Sequence, residues 1–76
     1  MKEKKFSSLV RYRKLYGITQ GKMAKIIEKS RSAYIRKENG ESDFYRDEMV
    51  KICDYINARA KADGDKSVTM EQIFLQ

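Results

Sequence analysis

Few side chains in this 76-residue chain are equipped for covalent chemistry. Histidine is absent, so neither Cys53 nor any serine has an imidazole base, and a single cysteine cannot build a thiolate zinc site. The neighbouring carboxylates Asp47 and Glu48 suit the first turn of a helix, where the dipole favours negative charge, better than an acid-base pair. Asp63-Gly64-Asp65 lacks the ligand spacing and the closing glutamate of an EF-hand. A glycine-rich phosphate loop is missing too. These residues predict no enzyme, no cofactor and no metal. What the chain does supply is positive charge: 17 Lys and Arg against 11 Asp and Glu, a formal +6. That balance favours a polyanionic partner through counterion release, and by itself leaves DNA, RNA and anionic lipid open. The segment from Thr19 to Gly40, TQGKMAKIIEKSRSAYIRKENG, reads as two short helices joined by a tight turn, and it turns the expectation towards DNA.

The elements that must position this segment can be read from apolar spacing and capping residues. Phe6, Leu9, Val10, Tyr12 and Tyr16 recur at helical intervals and predict a first helix that Gly17 can end. Thr19 is a plausible N-cap for a second helix with Met23, Ala24, Ile26 and Ile27 on one stripe, Ala24 being small enough for close helix approach. Ser30 can cap a third helix running to about Glu38, and Asn39-Gly40 is a strong stop because both residues tolerate positive φ. Met49, Ile52, Cys53, Ile56 and Ala60 predict a fourth helix. Thr69 and Gln72 form a capping-box pattern for a short last one ending in Ile73, Phe74 and Leu75. Ile73 and Phe74 are expected in the core.

The length suits one domain, residues 1–76, and the absence of proline with only four glycines suits an all-α fold over a sandwich or barrel. Residues 1–5 form a basic arm, expected to be solvated or to lie along a phosphate backbone. Cys53 lies among apolar residues and predicts a buried free thiol in a reducing compartment. The N-terminus lacks a signal-peptide core and no apolar run could span a bilayer, so the expected location is cytoplasmic, without membrane contact.

These residues together resemble the lambda-type helix-turn-helix family, also called XRE or Cro/CI, in which five helices pack around one core. The resemblance covers nearly the whole chain. It rests on Arg13 late in helix one, the turn Gly17-Ile18-Thr19-Gln20, Ala24, Ser30, the pair Glu38 and Gly40, and Val68-Thr69 with Ile73-Phe74. KENG followed by DF and DEMVKI looks like small regulators of phages and other mobile elements. The resemblance implies that helix three enters the major groove with Arg31, Ser32 and Arg36 facing the bases and Ile35 close by. Each arginine would bond guanine O6 and N7, and Ile35 would meet a thymine methyl. It implies phosphate contacts from Gln20 and Asn39, with Lys22 and Lys25 near the same edge. Asn39 can also be read as an αL cap. Arg13 and Glu38 match a structural ion pair between helices one and three.

Four features depart from the family pattern. Glu28 and Lys29 stand in the turn that usually carries a glycine and a small apolar residue. Lys37 takes a usually apolar position, from which its stem is expected to snorkel out, with Tyr34 supplying the missing bulk. Glu41 and Asp43 make acidic a loop that is often basic. Residues 58–67 form an insert that either extends helix four or makes a loop, with the helix preferred. The function implied is a transcriptional regulator, a repressor binding an inverted-repeat operator in double-stranded DNA as a homodimer. A second reading is an antitoxin-like module whose C-terminal helices hold a protein partner. A third is an architectural or recombination-directionality factor.

Overall fold

The computed structural model describes residues 6–75, and five α-helices with no strand make up its regular structure. They are α1 (Ser7–Leu15), α2 (Gln20–Ile26), α3 (Arg31–Glu38), α4 (Arg46–Ala62) and α5 (Met70–Phe74). The basic arm, residues 1–5, lies outside the described residues. No helix among them is long and apolar enough to cross a membrane.

Four of the five helix starts, those of α2 to α5, are satisfied by a side chain. Thr19 and Ser30 accept the amides of Lys22 and Ala33 through their hydroxyls at 3.0 and 3.1 Å, which satisfies donors that a helix start leaves open. Glu48 turns back to accept the Tyr45 amide at 2.9 Å at the start of α4. Thr69 and Gln72 make the reciprocal pair of a capping box at α5, at 2.9 and 3.1 Å.

The ends of the first four helices share one device. After each, an αL residue turns the chain so that the next amide bonds a carbonyl five residues back: Ile18 to Arg13, Lys29 to Ala24, Glu41 to Arg36 and Asp65 to Ala60, at 2.8–2.9 Å. The αL residue is Gly17, Gly40 or Gly64 in three cases, and Glu28 at φ +60° in the fourth. Asn39 is not an αL cap: its φ is −82°, and Gly40 alone takes the positive angle.

Side chains from all five helices meet in one core. Leu9, Met23, Tyr34, Ile52, Ile56 and Ile73 have no exposure, and Phe44 and Phe74 are buried beside them. Phe6, Phe44 and Phe74 pack edge to face, with centroids 5.2–6.0 Å apart. α2 packs mainly on α3, and α5 closes the core against α1 and α4. Burial of each large aliphatic is worth about 1.5–3 kcal/mol, so this core sets the frame on which α3 is held.

The insert divides. Ala58 to Ala62 continue α4, and from Asp63 the chain leaves the helix through Gly64. The remainder is tied down at both ends. Tyr16 donates its hydroxyl to Asp65 at 2.8 Å, while the Asn57 side chain grips Val68 twice, accepting its amide at 2.6 Å and donating to its carbonyl at 2.9 Å. Cys53 is half-buried rather than buried, and burial pushes its thiol pKa up, which keeps the sulfur protonated.

Candidate nucleic-acid interface

A helix turns by about 100° per residue, and the burial of α3 follows that turn closely. Arg31, Ser32 and Arg36 are exposed and Ile35 and Asn39 half-exposed, all on one arc; Tyr34, Lys37 and Glu38 are buried on the other. The open arc thus carries two arginines and no carboxylate. The only acid of the helix, Glu38, is 2% exposed and points into the protein.

Glu38 is held by four donors. Arg13 Nε reaches its Oε2 at 2.8 Å and Arg13 Nη2 its Oε1 at 3.4 Å, the Tyr34 hydroxyl donates to Oε2 at 2.7 Å, and Gln20 Nε2 donates to Oε1 at 2.9 Å. Arg13 also caps the Ile18 carbonyl at 3.0 Å. This knot joins α1, the first turn of α2 and the last turn of α3. Burial alone raises the Glu38 pKa, but the hydrogen bonds from Arg13, Tyr34 and Gln20 outweigh it, and the net direction is down. Tyr34 moves the other way, raised first by burial and then by its bond to Glu38, so it stays a proton donor.

A second buried charge lies behind α3. Lys37 does not snorkel to solvent: its ammonium lies 3.2 Å from Glu48 Oε1, donates to the Asp43 carbonyl at 2.8 Å and sits 4.4 Å from the Tyr45 ring centroid. Glu48 is 1% exposed and faces Lys29 as well, at 3.3 Å. Burial raises its pKa; the Tyr45 amide, Lys37 and Lys29 bring it down overall. Lys37 thus belongs to an ion cluster that ties α3 to α4, while Tyr34 fills the core.

The turn before α3 keeps a left-handed shape without glycine. Glu28 supplies it, and Lys29 makes the closing hydrogen bond, so Ser30 stands where it can cap α3. Arg31 therefore occupies the first position of α3.

The phosphate candidates are spread around this edge. Gln20 is half-exposed, and one of its amide hydrogens is already committed to Glu38. Asn39 is half-exposed at the far end of α3. Lys22 and Lys25 are exposed on α2, with the Lys22 ammonium 5.7 Å from the Tyr55 ring centroid. Glu41 and Asp43 are exposed in the loop after α3.

Sequence reasoning missed two parts of this arrangement. The sequence analysis gives Tyr34 only the role of bulk, although its spacing of one helical turn from Glu38 signals the hydroxyl donor. Glu48 fills the helix-start position expected of it by accepting the Tyr45 amide, and what the sequence reading missed is that it also stands four residues before Ile52 and eight before Ile56, on the buried stripe of α4. A carboxylate on such a stripe calls for a buried cation, and Lys37 was the other misplaced charge. No group of side chains suited to hold a metal occurs among the described residues. No protein-family model, curated protein or solved structure matches the chain.

Proposed function

We propose that this chain is a sequence-specific regulator that binds double-stranded DNA, with α2 and α3 acting as a lambda-repressor-like helix-turn-helix and α3 entering the major groove. One observation carries the reading: α3 offers solvent an arc of Arg31, Ser32, Ile35, Arg36 and Asn39 with no carboxylate, while its opposite face is fastened by two buried ion clusters. A rigid helix with arginine forks at its open face suits recognition of guanine O6 and N7. Ser32 would hydrogen-bond a neighbouring base edge, and Ile35 would pack on a thymine methyl.

Gln20 and Asn39 flank the arc and would fix register through phosphate oxygens, with Lys22 and Lys25 adding attraction that is indifferent to sequence. The net charge of +6 serves the same term. One short helix reads few base pairs, so the operator is an inverted repeat bound by two copies, and the outcome is repression by occupancy of a promoter. Leu15 and Leu75 are exposed apolar side chains available to such an assembly. The half-buried free thiol of Cys53 accords with a cytoplasmic setting.

Selection from a randomised duplex library at moderate salt tests this. The reading expects enrichment of a short inverted repeat containing guanine. Recovery of no common sequence, together with co-purification of a second protein from the native host, would favour the antitoxin-like alternative.

A further inference from the structure

Arg31 and Arg36 stand at opposite edges of the open arc of α3. Helical geometry sends their side chains out about 140° apart in direction and about 7.5 Å apart along the axis. Ile35 and Ser32 fall between them, Ile35 about 40° from Arg31 and Ser32 about 40° from Arg36. The midline of the exposed arc therefore has one arginine on each flank. Rolling α3 to bring both arginines to one side would break the bonds of Glu38 to Arg13 and Gln20 and of Lys37 to Glu48. The flanks can be told apart as well. Glu38 leaves the helix only about 20° from the direction of Arg31 and accepts the Gln20 amide at 2.9 Å, so the first turn of α2 lies on the Arg31 side.

We infer that the two arginines read guanines on opposite strands of one half-site, about two base pairs apart, Arg31 on the strand that the start of α2 touches and Arg36 on the strand across the groove. This rests on the reading of α3 as the DNA-reading helix and deepens it by naming the class of operator. The major groove is about 12 Å wide and a helix with its side chains about 10–12 Å across, so α3 fills it from wall to wall. With the midline of the arc on the groove floor, one flank meets base edges of one strand and the other flank those of its complement. An axial step of about 7.5 Å covers about two base pairs at about 3.4 Å each. Guanine presents O6 and N7 together to a guanidinium fork. Along either strand the half-site then carries a guanine and a cytosine about two pairs apart, not a run of guanines. Ile35 shares the flank of Arg31 and would meet a thymine methyl on the same strand as its guanine.

The experiment is selection from a randomised duplex library with the full chain, comparing the parent, Arg31→Ala and Arg36→Ala. Both side chains are exposed, and thermal melts verify that each variant is folded. In the aligned half-sites, Arg31→Ala is expected to lose preference for a guanine, and Arg36→Ala for a cytosine about two positions away on the same strand, each by roughly 5- to 150-fold, the range of one bidentate base contact. The selected duplex is then titrated with 7-deazaguanine, which lacks the N7 acceptor, in place of one guanine at a time. Replacement on the Arg31 strand should weaken the parent and Arg36→Ala and leave Arg31→Ala unchanged, and replacement on the other strand should do the converse. Losses that map to two guanines of one strand, or a loss spread evenly over all sequences in either variant, overturn the inference while the function stands. If the parent itself selects no sequence, both fall.

Discussion

The side-chain amide of Gln20 donates to Glu38 Oε1 at 2.9 Å, which fastens the first turn of α2 to the last turn of α3. A residue proposed to touch phosphate is therefore part of the knot that holds α3, the helix proposed to read DNA. In the proposed complex, register on the phosphate backbone and orientation of α3 are mechanically one thing. Glu38 is the shared member, since it also receives Arg13 and Tyr34.

Removing the charge at this knot should be costly. Glu38→Gln leaves the Arg13 guanidinium buried without its partner, and is expected to lower stability by about 3 kcal/mol in urea unfolding. Tyr34→Phe removes one donor to a buried carboxylate and should cost about 1–3 kcal/mol. A Glu38→Gln variant as stable as the parent would mean that the ion pair does not brace α3.

Acid should unfold the protein through the same groups. Glu38 and Glu48 both have depressed pKa values in the folded state, so each contributes stability that is fully present above the unfolded carboxylate value near 4.5 and lost as pH falls through the folded one. The melting temperature is expected to decline below about pH 4.5 and to decline less in Glu38→Gln. At the alkaline end the sign reverses. Tyr34 is raised, so its contribution is present below pH 10 and is lost above it.

The second ion cluster predicts non-additivity. Lys37→Met leaves Glu48 with only Lys29 and the Tyr45 amide, and should cost about 2 kcal/mol. The double variant Lys37→Met with Glu48→Gln should cost less than the sum of the two single changes, because each single change strands the other charge. Additive losses in a double-mutant cycle would show that the pair is not coupled.

Glu28 holds an αL conformation that costs a side chain roughly 1 kcal/mol and costs glycine little. Glu28→Gly is expected to raise stability by about 0.5–1 kcal/mol, after the loss of an exposed pair with Lys51. DNA affinity should be unchanged, since the turn already has the glycine geometry. A fall in stability would place the benefit of Glu28 elsewhere.

Much of the helical order was legible because it depends on local signals. Thr19, Ser30 and Thr69 cap helices in the structure as their types suggest, and Gly17, Gly40 and Gly64 take the positive angles. The αL residue at Glu28 was not legible, since its strain is offset by the Schellman bonds and by packing of the helices on either side. Lys37 and Glu48 were hidden for another reason. They are 11 residues apart on different helices, and only the folded core brings the charges to 3.2 Å. Asn39 and Gly40 both suit αL by type, and of the two only Gly40 takes it, while α3 ends at Glu38 where the pair predicts a stop.

Binding of the Arg31→Ala, Arg36→Ala double variant tests the central claim most directly. It is titrated at several salt concentrations against the duplex selected by the parent and against a scrambled duplex of equal length. On the proposed reading each arginine contributes about 1–3 kcal/mol of base discrimination, so the variant should lose most of its preference for the selected duplex while its affinity for the scrambled one changes far less. Equal affinity of variant and parent for the selected duplex would contradict the account, because α3 would then not be the surface that reads DNA.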